Sequence, residues 1–229
     1  MLLRLSFKEG RFFSEIIRGK TGGPMLFHYH FWTPYVEETE KFYKDLGFVV
    51  TLRTGKYEGE FQAFHPPLTW DDFREKKILF RIIEMRKGSI NITFGFGKKV
   101  KFDHIGFLIS EEDHESFCTR AKQLNWDVNV GERRTFLSTP YGFKVELQTD
   151  SSVIEGGNIR LKYIQIGTTK KGLEQDLYTI FQKPMNCILS SQSKELLMKE
   201  AVFDGVANLK IVDPNGVRLL GMLDEYDKK

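Results

Sequence analysis

Two histidines and two glutamates stand at matching places in two similar stretches of the chain. The first stretch carries His28 near its start and Glu84 near its end, and the second carries His104 and Glu146 in the same order. Imidazole and carboxylate ligands together suit Zn, Ni, Mn or Fe. The repeat therefore predicts one divalent metal ion held between two halves of a pseudo-symmetric site.

A third histidine lies close to this set. His30 follows His28 by two residues, so both side chains point to the same face if the segment is a strand. His30 is then an alternative metal ligand, a hydrogen-bonding partner of a ligand or a substrate contact. The remaining histidines, His65 in a loop and His114 in a helix, are expected to be solvated and without a role.

The elements that must position these residues occur in the order strand, helix and three strands. In the first stretch the strand LFHYHFW precedes the helix PYVEETEKFYKDLG, and FVVTLRT, GEFQAFH and ILFRIIEM supply the further strands. Alternating side chains place Phe80, Ile82 and Glu84 on one face of the last strand. The second stretch repeats this order with KFDHIGFLI, the helix EEDHESFCTRAKQLN, WDVNV, RTFLST and FKVELQT.

A third, degraded copy follows over residues 155–229. It comprises RLKYIQIGT, a helix over KKGLEQDLYTIFQ, MNCILSS, a short helix over SKELLMKEAVF, ANLKIVD and VRLLGML. Aligning it with the second stretch puts Tyr163 in the place of His104 and Leu220 in the place of Glu146. The third copy thus has the shape of the repeat without its ligands. The predicted divisions are residues 1–24 as an extension, 25–150 as the paired units and 151–229 as the third unit.

The segments quoted above resemble the vicinal oxygen chelate superfamily, which includes glyoxalase I, extradiol dioxygenases, fosfomycin resistance proteins and bleomycin-binding proteins. The similarity rests on His28 ahead of a helix ending in DLGF, on the strands FRIIEM and GFKVELQT, and on the turn DPNG. It implies an α+β fold in which tandem βαβββ modules form an incomplete eight-stranded barrel, with a third, degenerate module. It also implies His28, Glu84, His104 and Glu146 as the metal ligands.

The resemblance implies a metal-dependent enzyme of the glyoxalase or dioxygenase type. Its substrate would be a small molecule that chelates a divalent metal ion (Zn, Ni, Mn or Fe) through vicinal oxygens, with Glu146 or Glu84 as the general base. The alternative is a non-catalytic, resistance-type protein of the same fold that binds a small molecule.

The ligand set depends on which segment is the fourth strand of the first module. The twenty-residue distance from Glu84 to His104 favours FRIIEM, because this distance suits the family linker. If INITFGF is the fourth strand instead, Asn91 or Thr93 takes the place of Glu84. The site is then a triad of His28, His104 and Glu146 with three open positions, which suits oxygen chemistry at Fe(II).

Composition excludes several other classes of function. The 229 residues carry a net charge of +3, and residues 1–24, with five basic and two acidic side chains, account for all of it. The remainder is neutral, so a nucleic-acid partner is not expected. No apolar run approaches the roughly 20 residues that span a membrane, and a cytoplasmic location is expected. Cys118 and Cys187 are expected to be free thiols, and the open sheet edges of such modules favour a homodimer.

Overall fold

The computed structural model describes residues 23–223, and within them the chain forms two β-sheets and three α-helices. The predicted extension over residues 1–24 lies almost wholly outside the described residues. The larger sheet contains β1 Met25–Thr33, β2 Val49–Tyr57, β3 Glu60–Ala63, β4 Leu79–Lys87, β5 Ile90–Phe96, β6 Lys101–Leu108, β7 Asp127–Val130, β8 Thr135–Ser138 and β9 Lys144–Gln148. The smaller contains β10 Arg160–Thr168, β11 Ile188–Gln192, β12 Leu197–Asp204, β13 Lys210–Val212 and β14 Arg218–Met222. The helices are α1 Val36–Asp45, α2 Glu111–Gln123 and α3 Leu173–Phe181.

The larger sheet has the strand order β3-β2-β4-β5-β1-β6-β9-β8-β7. Its centre is the antiparallel pair β1 and β6, and each of these strands has the last strand of its own module as a parallel neighbour, β5 for β1 and β9 for β6. The predicted α+β fold of βαβββ modules is confirmed. The sheet has nine strands rather than eight, because the first module contains the additional edge strand β3.

The prediction that FRIIEM is the fourth strand of the first module is wrong. The strand parallel to β1 is β5, which contains INITFGF, and β4 with Glu84 lies one strand further out. In the second module Glu146 pairs with Gly106, two residues after His104. The equivalent pair in the first module is Thr93 with His30, two residues after His28. Thr93 therefore takes the position that corresponds to Glu146.

The two faces of the larger sheet differ in character because side chains alternate along each strand. On β5, Ile90, Ile92 and Phe94 are almost fully buried on one face, where α1 contacts β2, β4 and β5. Asn91 and Thr93 lie on the opposite face, which also carries the histidines of β1 and β6. The apolar face forms the core, and the polar face is left to hold the candidate site.

The smaller sheet reproduces the centre of the larger one. Its order is β11-β10-β12-β14-β13, and β10 and β12 pair antiparallel with irregularities at places that match those between β1 and β6. In this register Tyr163 corresponds to His28, rather than to His104 as the sequence alignment had it. Glu200 corresponds to His104, and Leu220 corresponds to Glu146. Tyr163 donates a hydrogen bond to Glu200 over 3.0 Å, and Arg218 forms an ion pair with the same carboxylate.

The helix predicted over SKELLMKEAVF is not formed, because this segment contains the central strand β12. Leu, Met, Lys, Glu and Ala are among the best helix formers, but helix propensity is a small energetic preference that tertiary strand pairing overrides. Here β12 pairs with β10 on one side and with β14 on the other. Ala201, Val202 and Phe203 are almost completely buried as a result.

A buried hydrogen-bonded chain connects the two sheets. Tyr29 on β1 contacts the hydroxyl of Tyr43 on α1 over 2.9 Å, and Tyr43 donates to Asp213 over 2.8 Å. Asp213 opens the DPNG turn between β13 and β14, and burial raises its pKa. Both cysteines are free, as expected. Between residues 23 and 223, no helix has the length and apolar character required to cross a membrane.

Candidate metal centre

Three of the four predicted ligands meet on the polar face of the larger sheet. The Nε2 atoms of His28 and His104 are 3.0 Å apart. The Oε2 atom of Glu146 lies 3.3 Å from the Nε2 of His104 and 4.0 Å from that of His28. All three residues are at most 6% exposed. The structure thus brings two imidazoles and one carboxylate, from strands β1, β6 and β9, to a single buried point.

Gly106 makes room for this arrangement. It is the partner of His28 across the β1–β6 pair. A Cβ atom on Gly106 would lie 2.8 Å from the Cβ and 3.2 Å from the Cδ2 of His28. Such a contact is too short for a side chain, so a glycine is needed here if His28 is to keep its position.

Hydrogen bonds at the far side of each imidazole fix its tautomer. His28 Nδ1 lies 3.0 Å from the backbone oxygen of Asn91, and His104 Nδ1 lies 3.0 Å from a carboxylate oxygen of Asp103. Nδ1 therefore carries the proton in both rings, and the lone pair is on Nε2. Asp103 also accepts a hydrogen bond from Trp32 over 3.1 Å. Each candidate ligand histidine thus has a partner that holds it in the form that binds metal.

The charges at this point also suit a cation. Burial lowers the pKa of His28 to about 4, so its imidazole is neutral at pH 7. Burial alone would raise the pKa of Glu146, but the cationic Arg134 beside it is among the groups that lower that pKa to about 2. Two nitrogen lone pairs and one carboxylate therefore face each other out of water, an arrangement that is unfavourable without a positive charge among them.

The donor atoms fit a divalent transition metal. Two ligands about 2.1 Å from an ion and at right angles to each other are about 3.0 Å apart. The separations of 3.0 and 3.3 Å that involve His104 Nε2 are close to this value. The mixed imidazole and carboxylate set is the one that such ions prefer.

Arg134 places a cation beside Glu146. It lies on the loop between β7 and β8, and its NH1 group donates to Glu146 Oε2 over 3.3 Å. Its side chain is 37% exposed, and its guanidinium lies 5.7 Å from the ring centre of Phe136, which packs edge-on against His104. Arg134 therefore offsets part of the Glu146 charge from the solvent side. Neither Arg134 nor Asp103 was identified from the sequence.

His30 is buried beside the three candidate ligands. Its ring stacks on His104 with a centroid separation of 4.9 Å, and its Nδ1 lies 2.6 Å from the hydroxyl of Thr93. The same hydroxyl is 3.4 Å from His28 Nε2. Burial, followed by the neighbouring histidines, holds the pKa of His30 well below its usual range.

Glu84 is not among the converging atoms. Its carboxylate accepts hydrogen bonds from Thr51 over 2.6 Å and from Arg86 over 2.8 Å. The reason is the strand assignment, since β4 is not the strand beside β1. The two histidines expected to have no role are also outside the cluster, because His65 accepts a hydrogen bond from the backbone of Arg53 and His114 contacts Thr135.

Comparison with known proteins yields structural matches alone. No family model and no curated protein matches the sequence. The structure is similar to 2,2',3-trihydroxybiphenyl 1,2-dioxygenase from Sphingomonas wittichii strain RW1, with a TM-score of 0.59, 11% identity and coverage of 88% of this chain and 91% of that one. It is also similar to a halotolerant catechol dioxygenase, with a TM-score of 0.60, 11% identity and coverage of 88% of this chain and 87% of that one.

A further match is a fusion of a xylose isomerase-like TIM barrel with a 4-hydroxyphenylpyruvate dioxygenase. It has a TM-score of 0.54 and 11% identity over 80% of this chain, which spans 37% of the length of the fusion protein. These matches extend over both sheets, because most cover 88% of the chain. The fold of the protein is therefore similar to that of these dioxygenases.

Proposed function

We propose that the protein is a metal-dependent dioxygenase of the extradiol type. The observation that carries the proposal is the convergence of His28 Nε2, His104 Nε2 and Glu146 Oε2. The first-module position that is equivalent to Glu146 is occupied by Thr93 rather than by a carboxylate. Two histidines and one carboxylate form the ligand set of many Fe(II) oxygenases. The names of the structural neighbours agree with this assignment, since one is an extradiol ring-cleaving dioxygenase and two others are dioxygenases of a trihydroxybiphenyl and of catechol.

Such an ion, Fe(II) or Mn(II), would have open positions for both oxygens of a chelating substrate and for O₂. The proposed substrate class is a small molecule with two adjacent oxygens, of which a catechol is the simplest aromatic case. A four-ligand site of the glyoxalase type would leave fewer positions, and it would require Glu84, which Thr51 and Arg86 hold elsewhere.

The residues of the chain have distinct roles in this proposal. His28 and His104 present their Nε2 atoms, and Glu146 brings a carboxylate to the ligand set. Asn91 and Asp103 hold the two rings in position through Nδ1. We assign Glu146 to metal binding rather than to general base catalysis, since a site with three protein ligands would lose its only carboxylate if Glu146 moved away.

The protein is first loaded with Fe(II) or Mn(II) under anaerobic conditions. The test is then its oxygen uptake in aerated buffer. Addition of a catechol to the aerated protein is expected to consume oxygen in proportion to the bound metal. Glu146→Gln and His104→Ala should lose both the metal and the activity. Glu84→Gln is the matched control, because it changes a carboxylate of the same sheet outside the cluster, and it should retain both.

Two results would contradict the proposal. One is metal binding that survives in Glu146→Gln and His104→Ala, because the ion would then lie elsewhere. The other is metal-free protein that binds catechols as tightly as the loaded protein and consumes no oxygen. That result would favour the non-catalytic, ligand-binding alternative of the same fold.

A further inference from the structure

His30 has a buried polar atom that the proposed function does not use. Its side chain is 4% exposed, and its Nε2 has no hydrogen-bonding partner among the described residues. The ring is held between two neighbours, since it stacks on His104 and contacts the edge of Trp32 at a centroid separation of 4.7 Å. Buried ring nitrogens normally have a partner, so the unpartnered atom indicates that something outside the described chain contacts it.

The hydroxyl of Thr93 decides which nitrogen of His30 carries the proton. Thr93 Oγ1 lies 2.6 Å from His30 Nδ1 and 3.4 Å from His28 Nε2. If His28 Nε2 binds a metal ion, its lone pair is not free to accept the Thr93 proton. Thr93 then donates to His30 Nδ1, and His30 Nε2 carries a hydrogen. His30 consequently offers a hydrogen-bond donor, next to the metal-binding cluster, that has no acceptor in the described chain.

We propose that His30 binds the substrate, by donating a hydrogen bond from Nε2 to an oxygen of the chelating molecule that lies beside His104. The proposal rests on the proposed function, because the proton placement assumes that His28 binds a metal ion. The recognised group is an oxygen that carries negative charge, such as a deprotonated catechol hydroxyl, because hydrogen bonds to charged acceptors are the strong ones. The close stacking on His104 and the packing against Trp32 keep the ring in one orientation.

The experiment measures metal binding and substrate binding separately in the whole 229-residue chain. Mn(II) affinity is measured by calorimetry, and binding of 4-nitrocatechol to the Mn(II)-loaded protein is followed anaerobically by its visible spectrum. His30→Leu removes the donor, His30→Gln keeps one, and Thr93→Val releases the ring from its fixed tautomer. His114→Leu is the control, because it replaces a histidine that contacts Thr135 outside the cluster.

We expect all four variants to bind Mn(II) within a few-fold of the wild type. His30→Leu should bind 4-nitrocatechol about tenfold more weakly, in the range for a lost hydrogen bond to a charged acceptor. His30→Gln should recover part of that affinity, Thr93→Val should lose roughly threefold, and His114→Leu should lose nothing. Recovery by His30→Gln separates a hydrogen-bonding role from a merely structural one.

Wild-type affinity for 4-nitrocatechol in both His30→Leu and Thr93→Val would overturn the inference. Loss of Mn(II) in His30→Leu with its fold intact would also overturn it, because His30 would then be a ligand. If His30→Leu does not fold, equal probe affinity in Thr93→Val and the wild type overturns it instead. Failure of the wild type to bind Mn(II) contradicts the proposed function itself, and is recognised by the calorimetry before any catechol is added.

Discussion

At the scale of single residues, the candidate metal-binding cluster of His28, His104 and Glu146 depends on groups that are not proposed ligands themselves. Asp103 is the clearest case, because it directly precedes His104 and an alternating strand would put the two side chains on opposite faces. The irregularity between β1 and β6 leaves Asp103 without a pairing partner, and its carboxylate turns toward His104 Nδ1. The sequence shows two adjacent polar residues but not the irregularity, so the role of Asp103 could not be predicted.

Asp103→Asn is expected to weaken binding of Mn(II) or Zn(II) about 10- to 100-fold, the usual effect of losing a hydrogen-bonding partner of a ligand. The fold should be retained, since the amide can still accept from Trp32. The measurement is a metal titration against a competing chelator. Asp127→Asn, an exposed residue of β7, is the control and should bind like the wild type. Equal affinities in both variants would show that Asp103 does not orient His104.

The buried histidines also determine how the stability of the metal-free protein depends on pH. The pKa of His28 is about 4 in the folded chain and near 6.5 when unfolded, and that of His30 is also lowered. Below pH 6.5 the unfolded state therefore binds more protons, so the free energy of unfolding falls as the pH falls. Glu146, whose pKa is lowered, stabilises the fold above pH 4.5 and contributes no slope between pH 5 and 6.5.

We expect His28 to remove roughly 1–2 kcal/mol of stability between pH 6.5 and 5, and His30 to add to that loss. Urea unfolding of chelator-treated protein at the two pH values measures the loss of stability. In His28→Asn this loss should be smaller by the contribution of His28. A wild-type protein that is equally stable at both pH values would show that His28 and His30 are not buried in the neutral form.

At the scale of the elements, the cluster is formed by the pairing of β1, β6 and β9. Gly106→Ala would place a Cβ atom 2.8 Å from that of His28. We expect this variant to displace His28 and to weaken metal binding at least tenfold, because a ligand must sit within a few tenths of an ångström of its position. Metal titration is compared with urea unfolding. Unchanged metal affinity would mean that β1 and β6 can separate without loss of the site.

The sequence predicted the individual strands better than it predicted which strands pair with each other. ILFRIIEM and INITFGF both read as strands, and only the long-range parallel pairing with β1 decides which one completes the module. The distance from Glu84 to His104 favours β4 as the fourth strand, and Glu84 was therefore predicted as a ligand. His28, His104 and Glu146 were predicted together because the repeat itself fixes their positions, whereas Arg134 lies in a loop that the repeat does not constrain. The helix predicted over β12 does not form, because strand pairing on both sides overrides the local helix propensity.

At the scale of the whole molecule, the two sheets share the same central strand pairing but carry different residues at the positions of the candidate metal ligands. In the smaller sheet Glu200 is balanced by Tyr163 and Arg218, and Leu220 cannot bind metal. The chain should therefore bind one divalent ion, not two. Elemental analysis of the reconstituted protein should give about one ion per chain, with no change in Glu200→Gln. Two ions per chain, or metal loss in Glu200→Gln, would assign a metal site to the smaller sheet.

The expected homodimer stays a prediction. The larger sheet ends in β3 and β7, where Phe61 is 69% exposed and Val130 is 63% exposed. Exposed strand edges of this kind are normally covered in proteins. Pairing of either edge with a second copy of the chain would cover these side chains.

The most direct test of the three-ligand site is a crystal of the Mn(II)- or Fe(II)-loaded protein, measured at the absorption edge of the metal. The account predicts one anomalous peak with His28 Nε2, His104 Nε2 and Glu146 Oε2 each about 2.0–2.2 Å away, and with Glu84 still bonded to Thr51 and Arg86. A peak elsewhere, or a Glu84 oxygen within that distance of the ion, would contradict it.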